Sequence, residues 1–187
     1  NKQIGRNQNF GAYVSHLSTQ NGVTDALADT NFSNSKIDLS YANRGRDISF
    51  QLNGGFQYNT NNWYGLETQL FTKDTADSLE LKQSYSNAYV SADATFKDGI
   101  IKNGDVLFRR FSDAFNSAEN NFVANMNSKV DILDQEVIIG AYLNYLSGSF
   151  NQNYFSDNEI NYGNVQFGVM PTYTFSQEDL VVNVGFK

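Results

Sequence analysis

Residues Ile48 to Tyr58, reading ISFQLNGGFQY, alternate without a break. Ile48, Phe50, Leu52, Gly54, Phe56 and Tyr58 make one set, and Ser49, Gln51, Asn53, Gly55 and Gln57 make the other. Successive side chains of a strand leave the backbone on opposite sides, so this stretch predicts a strand with one apolar and one amide-rich face. No helical period accounts for it. Just upstream, Ile37, Leu39 and Tyr41 oppose Lys36, Asp38 and Ser40, and Asn43, Arg44, Gly45 and Arg46 supply a Gly-containing turn, so the two runs predict a hairpin.

The same period recurs downstream. Phe122, Ala124, Met126, Ser128, Val130 and Ile132 alternate with Val123, Asn125, Asn127, Lys129 and Asp131. Across a short turn at 133–136, Val137, Ile139, Ala141, Leu143 and Tyr145 form the next apolar face. Val165, Phe167, Val169, Pro171, Tyr173 and Phe175 follow, and after a turn at 176–179 so do Leu180, Val182, Val184 and Phe186. Less regular strands are predicted at 10–17, 63–71, 87–96 and 105–111, which brings the reading to roughly ten strands near the length of about 9 to 11 residues that a tilted barrel strand needs.

Longer polar loops run over 19–34, 72–84, 112–121 and 148–161, rich in Asn, Asp and Ser, while other connections are tight. Long loops on one rim and short turns on the other is the outer-membrane arrangement. Counted back from the C-terminus, long and short alternate until the turn at Asn43, which is tight where a long loop is expected. Either that hairpin extends beyond the membrane, or 19–34 hides another strand.

Composition bounds the function classes. With net charge -7, a pI near 4.6 and no cluster of Lys and Arg, the chain offers no nucleic-acid surface. Mean hydropathy is -0.47, and no run approaches the roughly 20 apolar residues of a spanning helix. A transmembrane barrel shows that same polarity, because only alternate residues face lipid. Tyr 11 and Phe 15 against Pro 1 and Cys 0 suit long ladders without disulfides. Residues Asn1 to Asn9 lack the pattern of a signal peptide, so either one has been removed or the sequence is a piece of a longer polypeptide.

A soluble sandwich also alternates, but its strands average about 5 to 6 residues, and here alternation lasts about twice as long. Tyr41, Tyr58, Trp63, Tyr64, Tyr145, Tyr173 and Phe186 lie near strand ends, where an interfacial girdle places amphipathic rings. The opposite face of Asn, Gln, Ser, Thr and Gly suits a hydrated lumen. The expected fold class is an all-β antiparallel transmembrane β-barrel over residues 1–187, either whole or a segment of a larger one.

FGAYVSHLSTQNG from Phe10 to Gly22, SYANRGRDISFQLNGGFQYNTNNWYGL from Ser40 to Leu66 and NEINYGNVQFGVMPTYTFSQEDLVVNVGFK from Asn158 onward resemble strands of TonB-dependent receptor-like outer-membrane proteins of the Bacteroidota type. The resemblance implies a much larger barrel with an N-terminal plug and an energy-coupling box, neither of which is visible here. The chain would then be a middle or C-terminal barrel segment. Phe186 beside Lys187 approaches the aromatic-ended last strand of such barrels.

Little in the sequence points to catalysis, and the expectation is a non-enzyme without metal or cofactor. His16 is the only histidine, and Ser15 beside it points to the opposite face, so the two cannot share a proton. Asp25, Asp29, Asp157 and Glu159 lie on loops whose oxygens could hold calcium, but no regular spacing supports it and acidic loops are ordinarily just solvated.

Glu67, Asp93, Asp131, Lys36, Lys129 and one of Arg109 and Arg110 are expected to face the lumen, as salt bridges that fill the barrel or as a pore filter. The other arginine must lie near an interface or at a bulge. Pro171 predicts a bulge or an edge. The expected role is transport or reception in the outer membrane of a Gram-negative cell, with lipid and other outer-membrane proteins or lipoproteins as partners. The alternative is an anchored structural subunit of a secretion or assembly complex.

Overall fold

The computed structural model describes residues 2–19, 22–63, 65–132, 135–151, 158–177 and 180–185. They form one antiparallel sheet of ten strands, each beside its neighbours in sequence. The strands are β1 (Lys2–Gly5), β2 (Gln8–Ser18), β3 (Ser33–Arg44), β4 (Ile48–Asn62), β5 (Lys82–Phe96), β6 (Ile101–Asp113), β7 (Ala118–Ile132), β8 (Gln135–Phe150), β9 (Ile160–Gln177) and β10 (Leu180–Gly185). The sheet is not closed: β1 pairs with β2 and β10 with β9, but not with each other.

Register carries the alternation of each strand across the sheet. Val90 of β5 lies between Gly54 and Phe108, Phe108 faces Phe122, Phe122 faces Tyr145, and Tyr145 faces Val165. One face is therefore an apolar belt from β2 to β10, and no second layer covers it among the described residues. Phe56 is 46% exposed, Phe167 78% and Val14 71%. The one buried hydrophobic side chain among the described residues is Ala76, in the short helix α1 (Lys73–Asp77). In β4 the polar set is in the main half-buried while Ile48, Leu52, Phe56 and Tyr58 are exposed.

The belt climbs across the sheet. On β3 it is centred on Leu39, between Ile37 and Tyr41, and on β9 on Val169, between Val165 and Tyr173. Following paired residues from Val169 through Ala141, Met126, Gly104, Ala94 and Phe50 leads to Asn43, below the belt on β3. Over these six strand steps the offset from Leu39 is about 0.7 residue per strand, a tilt of about 25° at ~3.3 Å rise and ~4.8 Å spacing. This is below the tilt of about 35 to 45° usual for barrel strands. Tyrosines mark its borders: Tyr58 and Tyr145 at one, Tyr41 and Tyr173 at the other. Trp63 follows the end of β4, and Tyr64 and Phe186 fall outside the described residues.

The strand count agrees with the sequence reading only because two errors cancel. The strand expected at 63–71 does not form among its described residues. Trp63 N–H donates to Leu81 O at 3.0 Å, closing the base of a loop, and the amides of Leu70 and Phe71 both turn back to Glu67 O at 3.0 Å. Its apolar residues Trp63, Leu66, Leu70 and Phe71 do not keep a period of two, so nothing holds it extended. The four-residue β1 was missed in its place.

Removing the false strand also settles the rims. Connections at 19–32, 63–81, 114–117 and 151–159 leave one rim, and those at 6–7, 45–47, 97–100, 133–134 and 178–179 leave the other. The tight turn after Asn43 is now where a short turn belongs, and the described residues of 19–32 form no strand. Strands also extend further into the Asn- and Ser-rich segments than expected: β6 and β7 leave only 114–117 between them.

Candidate functional site

The polar face is where side chains converge. Glycines let tyrosines lie flat across it. Tyr89 of β5 crosses Gly55 of β4 and donates its hydroxyl to Asp38 Oδ1 of β3 at 2.8 Å, two strands away. A Cβ on Gly55 would fall inside the contact shell of Tyr89 Cε1 and 2.6 Å from Asp38 Oδ1. Tyr162 of β9 crosses Gly148 of β8 in the same way and donates to Glu119 Oε2 of β7 at 2.6 Å. Tyr142 covers Gly168. Each ring fills the space that a missing side chain leaves, and two of them tie three strands together.

Between these clamps run short polar bridges. Asn53 Nδ2 donates to Ser91 Oγ at 3.2 Å, Asn121 Nδ2 to Asn144 Oδ1 at 2.9 Å, and Asn127 Nδ2 to Asn103 Oδ1 at 2.8 Å. Lys36 pairs with Asp38 at 2.9 Å, and Lys129 pairs with Glu136. Asp93 and Asp105 sit directly opposite each other, and Asn125 Nδ2 donates to Asp105 Oδ2 at 2.8 Å. Of the charges expected here, Lys36, Asp93, Arg109, Lys129 and Asp131 lie on this face. Glu67 does not, because its segment is the loop described above.

Arg110 takes the other face. It sits at the border of the belt in the row of Asn120, Ser147 and Gly163, and its Nη1 donates to Asn120 Oδ1 at 2.9 Å. No register shift separates it from Arg109; the shift in β6 falls between Ile101 and Asn103. Pro171 causes no bulge against β8. It stands just past Thr172, the last residue of β9 that pairs with the described part of β10.

At the long-loop rim, residues 22–31, α1 and Phe115 border an open polar pocket of about 750 Å³ with Asp29, Lys73, Asp77, Glu80 and Lys82 on its walls. Thr72 caps α1 by accepting from the Thr75 amide at 3.2 Å, which turns Ala76 inward. No group of three metal-ligating side chains forms among the described residues. Asp157 lies outside them.

His16 lies at the belt border on the same face as Val14, with Ser15 opposite. Its Nδ1 is 2.8 Å from Ser35 Oγ and its Nε2 3.2 Å from Ser18 Oγ. The sequence reading weighed only Ser15. The i+2 spacing of Ser18 on a strand was the available signal, whereas Ser35 comes from the next strand.

No family model, curated protein or solved structure matches the chain.

Proposed function

We propose that the chain is outer-membrane β-barrel material with a transport or receptor role, its belt wetted by lipid and its polar face lining the lumen. One observation carries this reading: an apolar belt continuous from β2 to β10, bordered by tyrosines and left uncovered. At ~4.8 Å per strand and ~3.3 Å per residue such a belt exceeds the few hundred Å² of apolar patch that a soluble monomer usually exposes. Hydrocarbon is the cover that suits it. The segments that resemble TonB-dependent receptor-like strands support the same assignment.

Lipid tolerates no open sheet edge, because each unpaired backbone group there costs several kcal/mol. The outer edges of β2 beyond Phe10 and of β9 before Thr172 are unpaired among the described residues. Neither Gly11 to Ser18 nor Ile160 to Met170 contains Lys, Arg, Asp or Glu, the usual guards of an edge. In this proposal both edges are paired in the membrane.

The test is reconstitution of the full chain into lipid vesicles and planar bilayers. Co-flotation with vesicles and stepwise conductance are the expected results. Flotation with a silent bilayer favours the anchoring subunit, for which the clamps and ion pairs filling the polar face are the supporting observation. A protein that stays in the aqueous fraction ends the membrane reading.

A further inference from the structure

We propose that His16, Ser18 and Ser35 form an acyl-ester hydrolase site on the outer face of the sheet, acting on esters of membrane amphiphiles. The site uses one of the two tautomers that these contacts allow. With Nδ1–H donating to Ser35 Oγ at 2.8 Å, Nε2 is left as the acceptor facing Ser18 Oγ at 3.2 Å. A serine hydroxyl within reach of an imidazole nitrogen, with the ring oriented from its other side, is the arrangement of an activated nucleophile. Ser18 is the nucleophile, His16 the general base, and Ser35 a positioning residue.

The substrate class follows from the place of the site. Going up β2 on this face the residues are Phe10, Ala12 and Val14, then His16 and Ser18; on β3 they are Leu39 and Ile37, then Ser35 and Ser33. Aliphatic surface gives way to hydroxyls at His16 itself. In the membrane reading, on which this assignment of substrate rests, that border is the level where acyl chains end and their ester carbonyls begin. His16 and Ser18 are both exposed, so an ester lying on the belt reaches them without any opening of the fold.

The chemistry balances with water as the only co-reactant. Ser18 Oγ bonds to the ester carbonyl carbon as its proton passes to His16 Nε2. The tetrahedral intermediate collapses, the bond to the alcohol oxygen breaks, and His16 returns the proton to the leaving alcohol. Water then attacks acyl-Ser18 and gives a proton to His16, and Ser18 Oγ leaves with that proton as the fatty acid is released. Ser33, paired with Ser18 on the same face, is placed to donate a hydrogen bond to the oxyanion.

The experiment uses the full chain in detergent micelles carrying the p-nitrophenyl ester of decanoic acid, with a long-chain alkyl fluorophosphonate as a covalent probe. Wild type is expected to turn the ester over and to carry the phosphonate on Ser18, located by peptide mass. Ser18→Ala and His16→Gln should each lower turnover by about 10²-fold or more. Ser35→Ala should lower kcat with KM unchanged, Ser35→Thr should retain it, and Ser15→Ala should act like wild type. Protein that floats with vesicles but takes no phosphonate on Ser18, or hydrolyses the ester equally well as His16→Gln, overturns the site and leaves the membrane reading standing. Protein that does not float overturns both. Labelling of the wild type needs no variant to fold, so the site is judged even where a substitution disturbs assembly.

Discussion

Gly54 and Gly55 are neighbours in β4 and lie on opposite faces. A Cβ on Gly54 would meet nothing closer than Tyr89 O at 3.6 Å, whereas on Gly55 it would run into the ring of Tyr89 and the carboxylate of Asp38. The apolar face is a surface of exposed side chains, with a ring contact between Tyr41 and Phe50 at 5.9 Å. The polar face is a set of joints, in which rings, amides and carboxylates reach across one or two strands. Shape is therefore held from the polar side, and the apolar side is free to meet whatever solvent surrounds it.

The largest break in this contrast should come from charge. Leu52→Arg puts a guanidinium on the belt beside Tyr41, where in the proposed membrane setting lipid would exact up to about 2–4 kcal/mol, and should impair vesicle association, while Asn53→Arg on the other face should assemble. Equal recovery of both variants with vesicles would refute the assigned faces. Next in size, Gly55→Ala should lower stability by about 1–3 kcal/mol through overpacking against Tyr89, and Gly54→Ala should leave the urea midpoint close to wild type. If the two alanines shift the midpoint alike, the ring does not hold its place over Gly55.

A smaller effect is expected from Tyr89→Phe, which keeps the ring over Gly55 but deletes the donor to Asp38; a loss of about 1 kcal/mol should appear in the same titration. No loss would mean that ring packing alone makes the joint. Smallest of all, Lys73→Ala removes an exposed pair with Asp77 at 3.7 Å, outside both faces, and should change stability by less than about 0.5 kcal/mol. A larger drop would show that the α1 loop is coupled to the sheet.

The faces were legible in the sequence because a period of two is a local property of the chain. Ile48 to Tyr58 needed no partner to declare which residues lie together. The strand at 63–71 was misread because aromatic and apolar content stood in for alternation, and the backbone bonds that turn the chain at Glu67 leave no mark on composition. Lys36 was legible as a charge on the polar face. Asp38 was legible on the same face, but its pairing with Lys36 was not, since ion pairing along a strand depends on side-chain reach. The clamps were beyond reach altogether: Tyr89 and Asp38 are brought together by pairing through β4, which no local pattern encodes. Ser35 at His16 is hidden for the same reason.

Since every strand lies beside the one made just before it, the sheet can grow as a series of hairpins, each pairing with its predecessor before the next is needed. Such a chain needs no distant segment to wait for until its two margins are reached. In the membrane setting proposed above, the unpaired edges of β2 and β9 are the one part of the sheet that this order of growth leaves without a partner among the described residues.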